Sequence, residues 1–284
     1  MIHKDRLAIC IYPFPAVLLA VSLSGCASVA LEEGGTLTSY QRLTPSHGAL
    51  TKSRQYIDDR ALAAARSVAI VPTRVAETAR AEFTAEQVKL VTNAVDRALC
   101  RELTRRYQVV PKQADLTVRV VITGMTATDT TAAGVSAAAN IGGSVVSAVT
   151  GVPLPLPRLP LGLGALAVEA EAVTLQGGQI AALMWARGAD AITTKARVAA
   201  EGDAHTLATE FAADWAKLLV TGKDPIANAM PMMPSQQSVG EYFGGAPQNV
   251  CAAFGRNPGL GNTLGTSLGL PPSWTDQGPE RGSD

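Results

Sequence analysis

The sequence predicts an α+β domain: a mixed or mainly antiparallel sheet of about 4–5 strands with two amphipathic helices on one face, flanked by a disordered tether and tail. Three observations predict it. The stretch from Thr84 to Leu103 has a capping-box start and one apolar face at helical spacing. Two alternating segments meet at Gly177-Gly178, as in a tight hairpin. A second amphipathic segment runs from Asp203 to Val220 and ends at Gly222.

The chain opens with His3, Lys4 and Arg6, then a mostly apolar run from Ile9 to Leu23 interrupted by Pro13 and Pro15. The unbroken part, Ala16 to Leu23, is too short to cross a bilayer as a helix, which takes roughly 20 residues. Charge, then an apolar core, then small residues is the order of a secretory signal. Leu23-Ser24-Gly25-Cys26 closes it. This stretch resembles the lipobox of bacterial lipoproteins. The resemblance implies a signal peptide over 1–25, with Leu23, Ser24 and Gly25 as the cleavage-recognition residues. It also implies lipidation of Cys26, whose thiol takes a diacylglyceryl group and whose mature form carries palmitate-type chains. Small side chains at Ser24 and Gly25 let a peptidase close on the bond before the cysteine. Ala27 follows, where inner-membrane lipoproteins of this type tend to carry aspartate, so the expected anchor is in the outer membrane, on its periplasmic face. One acyl chain holds only marginally, whereas two hold stably.

Residues 26–60 lack sustained periodicity and contain Gly34-Gly35, Pro45 and Gly48, which predicts a membrane-proximal tether. The α/β domain is expected over 61–222. Ala61 to Ala65 suits a helical turn, and Ser67 to Val71 a short apolar strand stopped by Pro72. In the helix that follows, Thr84 and Gln87 form the capping box, and Val88, Val91, Val95, Leu99 and Leu103 make the apolar stripe. Arg101, Arg105 and Arg106 match the negative end of its dipole and are expected as solvated charge. Tyr107 to Pro111 gives a short strand. Asp115 to Thr123 gives a longer one, in which Leu116, Val118, Val120 and Ile122 alternate with their neighbours.

An apolar insert occupies about 130–164; from Thr130 to Val168 the only charged residue is Arg158. Three readings of it stand: a small-residue helix or loop packed over the sheet, a loop touching a bilayer or a partner, and a transmembrane span. The span fits least, because the segment is weakly hydrophobic and proline breaks it after Val152. Ala165 to Leu175 and Gln179 to Ala186 form the hairpin, with Met184 and Trp185 on opposite faces. In the last helix, Leu207, Phe211, Trp215, Leu218 and Leu219 are the apolar face. Residues 223–284 are rich in Pro, Gly, Ser, Asn and Gln and are expected to be largely disordered, with Tyr242, Phe243 and Phe254 as local docking residues. Truncation after Lys223 is expected to leave the domain folded.

With 24 basic and 24 acidic residues the formal net charge is zero, which removes the electrostatic case for nucleic acid. Of four cysteines, Cys10 leaves with the leader and Cys26 takes lipid. Cys100 and Cys251 remain; an oxidising compartment permits a disulfide between them, and Cys100 also suits a buried small apolar position.

The order of parts resembles an uncharacterised bacterial lipoprotein family built on a domain of unknown function. The resemblance lies in the lipobox and the early strand and helix, then in a strand of the Val168-Glu169-Ala170-Glu171 type, a Gln176-Gly177-Gly178-Gln179 turn, and a helix carrying Trp215. It spans about Leu23 to Gly222 and brings no catalytic residues.

Little in the chain points to chemistry. Glu201, Asp203 and His205 cluster, but capping and dipole explain acids at a helix start, and recognised metal-ligand spacing is lacking. Glu169 and Glu171 share one strand face, which surface alternation explains. No phosphate loop or Cys-x-x-Cys occurs. The expectation is therefore no catalytic residue, no cofactor, no metal and no enzymatic activity. The leading reading is a lipid-anchored accessory or protein-interaction module of the envelope. Its expected partners are the membrane, through Cys26, and another envelope protein. The alternative is a structural component of a membrane assembly that inserts or oligomerises through 132–163.

Overall fold

The computed structural model describes residues 29–139, 158–227, 249–255, 265, 268–276 and 278. Leu23, Ser24, Gly25 and Cys26 lie outside the described residues, as do 140–157 of the insert and Tyr242 and Phe243 of the tail.

The predicted α+β class holds, with a mixed sheet, but the sheet has eight strands rather than about 4–5. The strands are β1 (Thr44–Pro45), β2 (Thr51–Ile57), β3 (Ser67–Ile70), β4 (Arg74–Val75), β5 (Gln108–Val109), β6 (Leu116–Thr126), β7 (Ala165–Thr174) and β8 (Gln179–Gly188). Their order is β1-β2-β8-β7-β6-β3-β5, with β4 following β3 along β6. Pairing is antiparallel from β1 through β6 and parallel beyond it. The strands that sequence reasoning missed or blurred are two residues long, or in β2 carry no apolar alternation. Pro72 does stop β3, since it has no N–H for the ladder; the chain rejoins β6 two residues later as β4.

Helices α1 (Asp59–Ala64), α2 (Glu77–Arg80), α3 (Ala85–Leu103) and α4 (Gly202–Thr221) complete the main elements. Thr84 and Gln87 form the reciprocal capping box at the start of α3. Gly222, at φ 68°, ends α4 in the left-handed conformation that glycine tolerates. The two long helices pack on one sheet face, against Leu116, Val118, Val120 and Ile122 of β6, Leu166 and Val168 of β7, and Leu183 and Trp185 of β8. Trp185 meets Phe211 of α4 edge-on at 5.7 Å. Arg106 is not simply solvated charge. It donates to the carbonyls of Leu219 and Val220 and of Leu62, so it closes the C-terminal end of α4 instead of serving its own helix.

Two stretches expected as disordered are part of the packed structure. The tether of 26–60 contains β1 and β2, and β2 pairs with β8 along its full seven residues. In the tail, a 3-10 turn at Asn249–Phe254 is joined to α3 by a Cys100–Cys251 disulfide, and Val250 and Phe254 pack on the core. A short helix, Pro272–Thr275, follows. Truncation after Lys223 would remove these contacts, so the expected tolerance does not fit this arrangement. Within the insert, 130–139 is helical and 158–163 is a loop against it. Among the described residues no helix is long and apolar enough to cross a membrane.

Candidate functional site

Strand β8 is apolar on both sides: Leu183 and Trp185 face the helices, while Ala182 and Met184 face the other way. A strand apolar on two faces needs two covers. The second cover is the N-terminal segment 29–43, which crosses the sheet as a strap and places Leu31, Leu37, Tyr40 and Leu43 over Met184 and Ala182. Glu169 and Glu171 of β7 lie beneath it, 1% and 2% exposed, so their expected place on a solvated surface is wrong. What makes their burial tolerable is the strap's polar groups. Glu169 accepts from the Gly34 N–H at 2.7 Å, the Thr36 N–H at 3.1 Å, the Tyr40 hydroxyl at 2.8 Å and the Thr36 hydroxyl. Glu171 accepts from the Thr38 N–H at 2.8 Å, its hydroxyl at 3.1 Å and Gln179 Nε2 at 3.1 Å, with Arg119 at 3.5 Å. A buried charge is stable only when paired and hydrogen-bonded in this way. Gly34 is required here: a Cβ would come within 2.5 Å of Thr123 Cγ2. Burial, reinforced by the charge of Glu169, raises the Tyr40 phenol, which keeps its proton and donates.

The strap begins at the end of the sheet where β7 starts and β8 finishes. Val29 accepts from Lys52 Nζ at 3.5 Å, and its side chain lies 3.8 Å from where a Cβ on Gly124 would be. Lys52, Ala186, Ala167 and Gly124 are successive register partners, so Val29 lies over one row of the sheet. Cys26 is three residues before it.

The Glu201, Asp203 and His205 trio is pulled apart into three separate jobs. Glu201 accepts from Gln87 Nε2 at 3.0 Å. Asp203 makes a fully buried fork with Arg158, at 2.5 and 3.2 Å, and accepts from the Gly164 N–H at 2.8 Å. This fork locks the end of the insert onto the start of α4. Neither acid caps the helix by a side-chain bond, so capping does not explain them. His205 lies between Arg197, 3.0 Å from Nδ1, and Asp276, 2.6 Å from Nε2. Asp276 also receives both guanidinium nitrogens of Arg97 at 2.7 Å. Burial would raise Asp276, but the bonds from His205 and Arg97 outweigh it and hold the carboxyl at about 2. Burial lowers His205, which is therefore neutral, with its proton on Nε2 toward Asp276 and Nδ1 accepting from Arg197. Both ring nitrogens are occupied, so His205 has no free lone pair with which to act as a base.

Three other carboxyls are displaced upward. Burial pushes Asp96 up to about 6 against hydrogen bonds from Thr73, and Glu210 up to about 6 against Arg187. Asp214 rises to about 6 by burial despite a bond from Trp185 Nε1. Each is tied to a structural neighbour. An open cleft of about 450 Å³ is lined by Thr73, Arg74, Glu77, Arg80 and Lys89, and the buried Thr73 hydroxyl at its edge is turned away to donate to Asp96 at 2.6 Å. Among the described residues no three His, Cys, Asp or Glu side chains are grouped to hold a metal ion. Sequence reasoning missed the cover that the strap provides and the contacts of Asp276 with Arg97 and His205, whereas the Cys100–Cys251 bridge and a docked Phe254 were among its readings. The two-sided apolarity of β8 was the one signal that a second cover existed.

The model of a family described as protein of unknown function, DUF3313, matches residues 32–215. The chain belongs to the DUF3313 family. The DUF3313 match takes in the strap from Glu32, Glu169 and Glu171 beneath it and most of α4, and stops before Cys251 and Asp276. No match was found among curated proteins. Two solved structures of the PelC dodecamer from Paraburkholderia phytofirmans are similar to this DUF3313 chain. One, a single-residue variant, is 12% identical with a TM-score of 0.36, over 61% of this chain and 100% of that one. The other is 14% identical with a TM-score of 0.35, over 60% and 98%.

Proposed function

We propose that this DUF3313 protein is a lipid-anchored lipoprotein of the bacterial envelope, held at the periplasmic face of the outer membrane, that acts by binding other envelope components and not by catalysis. The observation that carries the reading is Leu23-Ser24-Gly25-Cys26 at the end of a charged and apolar leader. The Cys100–Cys251 disulfide supports it, because such bridges persist in oxidising compartments and are rare in reducing ones. The use of the buried ionisable groups supports the non-catalytic part. Glu169 and Glu171 hold the strap, Asp203 holds the insert and His205 with Asp276 holds the tail.

The test is Cys26→Ser in the native host. The substitution removes the thiol that takes lipid, so palmitate label should disappear and uncleaved precursor should accumulate. Normal processing and membrane retention of that variant would show the lipoprotein reading to be wrong. Crosslinking wild type in intact cells should then yield a discrete partner protein.

A further inference from the structure

Among the described residues, nine large apolar side chains are exposed. Six of them, Val135, Leu159, Leu161, Ile192, Val198 and Leu268, belong to segments tied side by side. The Leu159 N–H donates to the hydroxyl of Ser136, Arg158 N–H to the carbonyl of Ala191, and Val198 N–H to the carbonyl of Gly269. The first four lie in the connections that leave β6, enter β7 and leave β8, at one end of the sheet. Leu161 is 64% exposed and Ile192 is 79%. Isolated exposed apolar residues are ordinary, but a cluster of this kind marks a contact surface.

Val29 lies at that same end. Two residues separate it from Cys26, and the three Cα–Cα steps reach about 10 Å even when fully extended. Ten-residue β7 is about 33 Å long, so an anchor on Cys26 cannot reach the hairpin end. The strap face is an unsuitable alternative, because Glu32 and Glu33 are exposed on it. We propose that the apolar end formed by Leu159, Leu161 and Ile192 sits in the headgroup region of a phospholipid bilayer, so that the protein stands end-on at the membrane with its hairpin tip pointing away. The inference rests on lipid anchoring at Cys26. Lys195, exposed in the same loop as Ile192, suits anionic headgroups.

The experiment uses the full mature chain with Cys26→Ser, which carries no lipid, and vesicles of phosphatidylethanolamine and phosphatidylglycerol. The unlipidated chain should float with the vesicles. Leu161→Asp combined with Ile192→Asp should cut the bound fraction by about tenfold or more, as expected for losing two buried apolar side chains. Leu175→Asp is the matched control, since Leu175 is also 64% exposed but lies at the hairpin tip, and binding should not change. Circular dichroism confirms folding; if the double variant misfolds, Ile192→Ser alone replaces it. Equal binding by all variants, or no binding by the unlipidated wild type, overturns the proposal. So does loss of a copurifying protein with vesicle binding intact, which would make this a protein-binding surface. Palmitate labelling of the wild type reports on Cys26 alone. An unlabelled protein whose apolar end still binds vesicles refutes the anchor and not the surface; a labelled protein whose end does not bind refutes the surface and not the anchor.

Discussion

Replacing both Cys100 and Cys251 by alanine should lower stability by an amount set mainly by chain entropy. The bridge closes a loop whose ends are 151 residues apart, and that loop contains β6, β7, β8 and α4. In the loop-entropy model a cross-link of this span restricts the unfolded chain by about 5 kcal/mol at 25 °C. Its native-state role is local: it holds the 3-10 turn, with Val250 and Phe254, on the buried side of α3. For a structure of this size each kcal/mol moves the melting temperature by about 2–4 °C, so the double variant should melt roughly 10–20 °C below wild type. Circular dichroism melts with and without a reductant provide the assay. Reductant should bring wild type down to the variant and leave the variant where it is. A drop under about 3 °C, with the reductant equally without effect, would refute the reasoning, because a bridge of this span cannot be so weak unless the unfolded chain is already constrained.

Two further outcomes test the polar interior. Glu169→Gln replaces the acceptor of four strap donors by a group that is itself half donor, and should cost about 3 kcal/mol. Hydrogen exchange at the Gly34 and Thr36 amides should accelerate strongly, and unchanged protection there would show that the carboxylate does not hold the strap. Asp96 has a folded-state pKa of about 6 against 3.8 in its ordinary state, so the folded protein keeps a proton that the unfolded chain has lost between those values. Its contribution therefore falls as pH rises from about 4 to about 6, by about 3 kcal/mol in all. Urea melts of wild type and Asp96→Asn at both ends of that window should show wild type losing ground to the variant as pH rises. A change of the opposite sign would contradict the burial of this group.

What the sequence made legible is the helix-covered half of the sheet. α3, the β7–β8 hairpin and α4 follow from local signals: a capping box, a glycine turn, a 3.6-residue stripe. The strap-covered half did not follow, because its cohesion is polar. β2 reads Thr-Lys-Ser-Arg-Gln-Tyr-Ile, which has no apolar alternation, and it is a strand because β8 offers it a full ladder. Glu169 and Glu171 sit at alternate positions, which on a single strand cannot be told from a wet face; the strap that covers them, with donors 129 to 135 residues away, makes them interior. The same holds for Asp276, whose partner Arg97 lies 179 residues earlier. The pairing of Cys100 with Cys251 was one of two open readings, since spacing alone does not bring two cysteines together.

The strap has a further consequence, for the order of events during synthesis. It is made first among the described elements, yet its carboxylate receptors on β7 follow about 133 residues later. Until residue 171 has emerged and β7 has found β6 and β8, nothing exists for Gly34, Thr36 and Thr38 to bind. Long-range closure of this kind comes late in folding, after local elements have reduced the effective loop. The start of the chain therefore spends its early life as an unattached polymer, open to any enzyme that works on extended substrate. Once the strap docks, Val29 is confined to the sheet end. Any enzyme that needs Gly34 to Thr38 as free chain has a natural deadline, set by the assembly of β7 between β6 and β8.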